Sequence, residues 1–214
     1  MNYFPFYMET SNRTILVVGG GRRAYKKLQT LLQYEMKIHL VTKELSDVVA
    51  CLVKQHMDRV EVSIRAYKDK DLNMVDYVVV ATSDEGLNHW IAKSCRERRI
   101  PVNVAKNREE STFIMPAVLH QGGIDIAVST GGESPITACY VRKKIEQQLP
   151  ERLGELVTVL GECRDYVQME IEDEEMRKEA FECLLSIGMV NDCMLTKEIV
   201  EDVVKHLKNE SMNE

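Results

Sequence analysis

Proline and glycine are scarce in this sequence, at five and 11 residues among 214, and no low-complexity stretch interrupts it. Charged residues make up 29% of the chain and hydrophobic residues 44%, which together exclude an intrinsically disordered protein. No apolar run approaches the ~18 residues that a membrane-spanning helix requires, so we expect no transmembrane segment. The composition therefore predicts a folded protein with a substantial buried core.

An excess of basic residues is also lacking. The formal net charge is −6 and the isoelectric point lies near 5.5, so the chain as a whole does not attract nucleic acid or an anionic membrane. We expect neither as a partner. An anionic ligand would need a local group of basic side chains.

The six cysteines are scattered and include no close pair of the kind that binds zinc. Residues 1–11 contain neither the basic region nor the continuous apolar region of a signal peptide. We therefore expect a cytoplasmic protein with reduced, mostly buried thiols, no disulfide framework and no metal site.

What the sequence does contain is an alternation of short apolar runs and amphipathic stretches, typical of a parallel sheet with crossover helices. Strands are predicted at 14–18, 37–42, 60–64, 75–81 and 101–104. Helices are predicted at 24–33, 46–56 and 83–99, with Ser46 and Ser83 as N-caps of the last two. This order indicates a Rossmann-type, doubly wound nucleotide-binding fold of the α/β class.

The pattern changes after residue 112. Two strand-like runs, 113–120 and 124–130, flank a Gln121-Gly-Gly turn, and a helix over 135–148 follows Ser134 as its cap. Such a small β-β-α region cannot bury its own faces, so it must pack on the first domain or on a second copy. Further helices are predicted at 152–167, 174–185 and 196–207. We expect three domains: 1–112, 113–149 and an all-helical domain, 150–214.

A glycine-rich turn directly follows the first strand and opens the first helix. Gly19, Gly21 and Ala24 match the GxGxxA pattern, with Gly20 between the first two. Arg22 and Arg23 then oppose the helix dipole unless an anion binds between them and the backbone amides. The turn predicts a dinucleotide diphosphate site. The alternatives are a purely structural turn and arginines that point into solvent.

Other cofactor contacts are predicted where later strands end. Glu44 follows the second strand and is the only acid there for a ribose hydroxyl, whereas Lys43 would suit a ribose or a 2′-phosphate. The pattern thus leaves NAD and NADP both open. Thr82 and Asn103 end the fourth and fifth strands, as cofactor contacts or as strand-end caps.

Five segments combine the turn with later motifs in a fixed order and spacing. They are Val17-Val-Gly-Gly-Gly21; Val80-Ala-Thr-Ser-Asp84 with Leu87-Asn88; Val102-Asn-Val104; Phe113-Ile-Met-Pro116; and Ala127-Val-Ser-Thr-Gly-Gly-Glu-Ser-Pro135. The combination, over about residues 12–165, resembles the precorrin-2 dehydrogenase family. That module stands alone or forms the amino-terminal part of siroheme synthase. Ordinary Rossmann dehydrogenases lack the last two segments.

The resemblance implies an NAD-dependent oxidation of precorrin-2 to sirohydrochlorin in siroheme biosynthesis, with NAD taking the hydride. It also implies a homodimer that exchanges the central β-β-α segment. The substrate is a polycarboxylate, so its site should be rich in donors. We expect Lys106, Thr130, Gly131, Gly132 and Ser134 to bind it, the last four around a helix start.

One position departs from the family pattern. Many members carry an aspartate two residues after the Asn-Val pair, where this chain has Lys106. A protonated lysine suits carboxylate binding better than proton abstraction or metal insertion, so no catalytic residue is predicted. Two alternatives stay open: a bifunctional dehydrogenase and sirohydrochlorin ferrochelatase, and a non-catalytic NAD-sensing module.

Overall fold

The computed structural model describes residues 3–211, which form two compact units that divide between Met115 and Pro116. The division into three domains stays a prediction. Among the described residues, no helix is both long and apolar enough to cross a membrane.

The first unit contains a five-stranded parallel sheet in the order β3-β2-β1-β4-β5. Its strands are β1 Thr14–Val18, β2 Lys37–Thr42, β3 Val60–Ile64, β4 Tyr77–Val80 and β5 Val102–Val104. Its helices are α1 Arg22–Leu31, α2 Asp47–Gln55 and α3 Glu85–Glu97, and a 3₁₀ helix, Asp69–Leu72, lies between β3 and β4. The predicted α/β class with a Rossmann-type sheet is confirmed.

The central strands β1 and β4 are almost entirely apolar because helices cover both faces of the sheet there. Val17 and Val79 pack in a core with Leu28 of α1 and Val49 of α2. Neighbouring residues on the same strands face the opposite core, which includes Ile91 of α3. Because β1 and β4 are neighbours and lead to helices on opposite faces, a crevice opens at their carboxyl ends.

The second unit begins with the antiparallel hairpin of β6 Ala117–Gln121 and β7 Ile124–Val128. Five helices follow: α4 Pro135–Glu146, α5 Leu153–Glu162, α6 Arg164–Glu170, α7 Glu174–Val190 and α8 Lys197–Ser211. Helices α6, α7 and α8 enclose an apolar core that includes Val167, Leu184 and Val204. The prediction of a small β-hairpin followed by helices is confirmed, although some of the element boundaries differ.

Several predicted boundaries are wrong. Ser46 does occupy the N-cap position of α2 as predicted, but its hydroxyl donates to the Gly20 carbonyl at 2.9 Å and accepts no bond from a helix amide. Asp84 rather than Ser83 caps α3. Residues 113–116 lie outside β6, and the helix expected at 152–167 divides at Cys163 into α5 and α6. The 3₁₀ helix was not anticipated because its polar sequence carries no helical periodicity.

Candidate cofactor site

A cleft of about 510 Å³ lies at the carboxyl end of the sheet in the first unit. Turns after β1, β2, β3 and β4 all contribute to its wall. The lining residues are Val18, Gly19, Gly20, Gly21, Arg22, Arg23, Val41, Thr42, Lys43, Glu44, Arg65, Tyr67, Ala81, Thr82, Ser83, Asp84 and Leu87. The structure therefore brings together eight of the nine residues predicted to bind the cofactor, all except Asn103.

Two of the three glycines of the turn are required by different neighbours. Gly19 has φ +119°, and a Cβ there would lie 2.8 Å from the Ala81 carbonyl oxygen. A Cβ on Gly20 would lie 2.1 Å from the carbonyl oxygen of Glu44. Gly21 has an ordinary φ of −95°, and a Cβ on it would meet no atom of the described residues within 4 Å beyond its chain neighbours. Only Gly21 is thus unconstrained by the protein itself, and it faces the cleft.

Helix α1 begins directly after this turn and offers an anion site. Gly21 is its N-cap and has no side chain to satisfy the first amides, and no acidic residue lies in the first turn. Arg22 and Arg23 supply positive charge at the same place. The Arg23 Nη1 donates to the Thr82 carbonyl at 2.9 Å, which ties the helix start to the end of β4. Amides, dipole and guanidinium groups together suit a diphosphate.

The end of β2 forms a second wall. The Thr42 hydroxyl donates to the Glu44 carbonyl at 2.7 Å, which fixes the turn that presses against Gly20. Lys43 and Glu44 both have exposed side chains on the cleft. Either the ammonium group or the carboxylate is therefore available to a ribose.

The end of β4 forms the third wall through a small hydrogen-bond network. The Thr82 hydroxyl donates to Oδ1 of the buried Asn88 at 2.5 Å, and the Asp84 amide donates to the Thr82 hydroxyl at 3.1 Å. The Asp84 carboxylate in turn accepts from the Leu87 amide at 2.9 Å. These bonds hold Thr82 in place at the cleft, with Asn88 as its support.

The prediction missed a fourth wall, contributed by Arg65 and Tyr67 just after β3. Tyr67 is 7% exposed, and its ring contacts that of Trp90 edge-on at 5.5 Å. Burial, then the nearby Asp69 carboxylate, raises the pKa of Tyr67, so it stays a neutral phenol. The rule that ligands bind at the carboxyl ends of parallel strands could have indicated both residues.

Asn103 does not line this cleft. Its side chain is buried on β5, where Nδ2 donates to the Phe113 carbonyl at 3.0 Å. Its Oδ1 is buried and has no hydrogen-bond partner among the described residues. In this structure Asn103 connects β5 to the segment before β6, and one buried acceptor remains for a donor.

The residues predicted to bind substrate fall into both units. Lys106 belongs to the first unit, where it is exposed and adopts φ +71° in the turn after β5. Thr130, Gly131, Gly132 and Ser134 belong to the second unit, between β7 and α4, with Gly131 and Gly132 at φ +65° and +85°.

Hydrogen bonds already order the turn before α4. The Gly131 amide donates to the Ser129 hydroxyl at 3.0 Å, and the Ser134 amide donates to the Thr130 hydroxyl at 3.0 Å. Ser134 caps α4 as predicted, accepting from the Thr137 amide at 3.3 Å. Within residues 3–211, no group of three or more histidine, cysteine or acidic side chains is arranged to hold a metal ion.

Comparisons with known proteins agree with this geometry. The family model described as "Putative NAD(P)-binding" matches residues 6–117. Siroheme synthase of Thioalkalivibrio sulfidiphilus is 36% identical over 92% of this chain and 40% of that protein. Siroheme synthase of Mannheimia succiniciproducens is 32% identical over 87% of this chain and 39% of that protein. The chain thus spans about two fifths of the length of these relatives.

One solved structure shares the fold over nearly the whole chain. It is named "SirC, precorrin-2 dehydrogenase" and covers 97% of this chain and all of its own, with a TM-score of 0.71. Its sequence identity is 21%, so the likeness is one of fold.

Proposed function

This chain belongs to the NAD(P)-binding family, and from that premise we propose that it is an NAD-dependent dehydrogenase that oxidises precorrin-2 to sirohydrochlorin in siroheme biosynthesis. Support comes from its similarity to siroheme synthases across most of its length and from the fold shared with a precorrin-2 dehydrogenase. The segments 113–116 and 127–135, which resemble precorrin-2 dehydrogenases and are lacking in ordinary Rossmann dehydrogenases, support the same choice.

The single observation that carries the proposal is the unconstrained glycine at position 21. Neither its backbone conformation nor any neighbouring atom requires the absence of a side chain there. A glycine at this position is explained if a ligand must approach the backbone, as a dinucleotide diphosphate does. The cleft therefore fits NAD.

The roles of the other cleft residues follow from their places. The first amides of α1, with Arg22 and Arg23, would bind the diphosphate, and Glu44 or Lys43 would bind the adenosine ribose. Thr82, held by Asn88, would contact the cofactor on the β4 side. NAD, when bound, supplies the hydride acceptor for the oxidation. The protein's task is then to orient substrate and cofactor.

For the substrate we propose carboxylate contacts by Lys106, Thr130, Gly131, Gly132 and Ser134. Because the Lys106 side chain is already exposed, its ammonium group can pair with a substrate carboxylate without a rearrangement of the protein. The turn before α4 places backbone amides at a helix start. The Gly131 amide already donates to the Ser129 hydroxyl, so it must break this hydrogen bond, or donate to both acceptors, to bind an anion. Asn103, with its unpaired Oδ1, is proposed as an acceptor for a donor on the cofactor.

We further propose that the protein works as a cytoplasmic homodimer. Helix α4 exposes Ile136, Tyr140 and Val141, which are 83%, 60% and 37% exposed, in the segment that the family resemblance assigns to subunit contact. An apolar surface of this kind marks an interaction site.

The test is the reduction of NAD by the purified protein when precorrin-2 is supplied, measured by absorbance. Gly21→Asp should abolish NAD binding and turnover, because its carboxylate would meet the diphosphate. Gly161→Asp is the matched control, since Gly161 also has open space around its missing Cβ but lies in α5. Turnover in Gly21→Asp would overturn the placement of the cofactor. NAD binding by the wild type without turnover would favour the nucleotide-sensing alternative.

A further inference from the structure

The strand order determines on which side of the cleft each half of a dinucleotide lies. The glycine turn follows β1 at the centre of the order β3-β2-β1-β4-β5. In this type of fold the adenosine ribose lies at the end of β2. The adenine ring must then continue toward β3, the next strand outward. The residues that line the cleft after β3 are Arg65 and Tyr67.

Arg65 is held in a fixed plane by Asp71, a residue of the 3₁₀ helix. Its two terminal nitrogens donate to the two carboxylate oxygens of Asp71, each at 2.7 Å. The Asp71 side chain is 2% exposed and accepts a further bond from the Lys68 amide at 2.8 Å. This two-pronged geometry fixes orientation as well as distance.

The backbone places this planar group beside the ribose position. The Arg65 amide donates to the Thr42 carbonyl at 2.7 Å, so the end of β3 stays attached to the end of β2. The Arg65 side chain is 32% exposed while its partner is buried. The guanidinium group is therefore supported on the protein side by Asp71 and remains partly open on the cleft side.

The occupied edge of the guanidinium group leaves its flat face as the surface available to a ligand. Nη1 and Nη2 are bonded in plane to Asp71, and Nη1 also donates to the Ala66 carbonyl at 3.1 Å. Guanidinium planes stack on aromatic rings, and this interaction needs no free in-plane donor. An adenine ring is a flat aromatic ligand of this kind.

We propose that Arg65 is the residue on which the adenine ring of the cofactor stacks, and that Asp71 is a positioning residue which holds its plane. This inference rests on the proposed binding of NAD in the cleft. Tyr67, whose ring makes a T-shaped contact with that of Trp90, borders the same position.

The experiment compares three ligands by titration calorimetry: NAD, ADP, which has the adenine and a diphosphate, and nicotinamide mononucleotide, which has no adenine. Arg65→Ala should weaken NAD and ADP binding about tenfold and leave the mononucleotide unchanged. Arg65→Lys should behave like Arg65→Ala, because lysine keeps the charge but not the plane. Asp71→Asn should give an intermediate loss for the same two ligands.

Arg98→Ala is the matched control, because Arg98 pairs with Asp69 of the same 3₁₀ helix at 3.1 Å but does not line the cleft. It should bind all three ligands like the wild type. Thermal melting of each variant without ligand identifies any loss of fold, and Arg65→Lys tests the idea even where Asp71→Asn does not fold.

Two results would overturn the inference. One is unchanged ADP affinity in both Arg65 variants; the other is an equal loss for ADP and the mononucleotide, which would show a general effect on the cleft. Failure of the proposed function appears separately, as absence of NAD binding by the wild-type protein.

Discussion

Single residues in the cleft show two kinds of constraint. Gly20 is glycine because the Glu44 carbonyl occupies the place of its side chain, whereas no residue between 3 and 211 occupies that place at Gly21. The first constraint concerns folding and the second concerns the ligand. Residues of one sequence motif can thus differ in role: Gly20 is needed for the packing of the turn, and Gly21 for the approach of a ligand.

The buried carboxylate of Asp71 makes the stability of the first unit depend on pH. Burial alone would raise its pKa, but hydrogen bonds from Arg65 and the Lys68 amide lower it overall. The folded pKa therefore lies below the unfolded value of about 3.9. The stabilisation is fully present above the unfolded pKa and is lost as the pH falls through the folded one.

We therefore expect Asp71→Asn to unfold at lower urea concentration than the wild type at pH 7, with the gap narrowing toward pH 3. Urea titrations at three pH values measure this difference. Asp58→Asn, on an aspartate with a 76% exposed side chain, controls for the substitution itself. A gap that is constant with pH would show that the ion pair contributes little to stability.

At the scale of elements, the sequence predicted those parts of the fold that follow from periodicity. The strands at 14–18, 37–42 and 60–64 are apolar or alternating, and all three predictions match the structure residue by residue. The division between α5 and α6 and the 3₁₀ helix were not predictable, because the local pattern of apolar residues marks neither of them. The Arg65–Asp71 pair was missed for the same reason, since a buried carboxylate and an exposed one look alike in sequence.

The contact between the hairpin turn and α5 provides a prediction at this scale. A Cβ on Gly154 would lie 2.3 Å from the Gln121 carbonyl oxygen and 2.9 Å from the Gly122 Cα, both backbone atoms that cannot move cheaply. Gly154→Ala should therefore lower the free energy of unfolding by about 1–3 kcal/mol, as overpacking does.

Gly161→Ala in the same helix is its control and should act in the opposite direction. Apart from the backbone of α5 itself, no atom in the described part of the chain lies within 4 Å of the added Cβ there, and alanine favours a helix over glycine by about 1 kcal/mol. Urea unfolding of the full-length variants, monitored by circular dichroism, measures the change in the free energy of unfolding for both substitutions. Equal effects of the two substitutions would contradict the close packing of the turn on α5.

At the scale of the whole molecule, the proposed homodimer accounts for apolar side chains that α4 exposes. Ile136 and Tyr140 are one helical turn apart, so they share a face of the helix. A stable dimer typically buries about 1,600 Å² in total. The exposed apolar face of α4, next to the hairpin of β6 and β7, is the kind of surface that contributes to such an interface.

Sedimentation velocity should then show a wild-type particle of twice the 24.6 kDa chain mass, and Ile136→Asp should shift it to the monomer. The substitution places a charge in the interface but does not harm the helix, because α4 has no acidic residue in its first turn and an aspartate there complements the dipole. Met74→Asp makes the same kind of change at a 96% exposed residue of the first unit and should leave the dimer intact. A wild-type monomer, or an Ile136→Asp dimer as stable as the wild type, would show that α4 does not form the subunit contact.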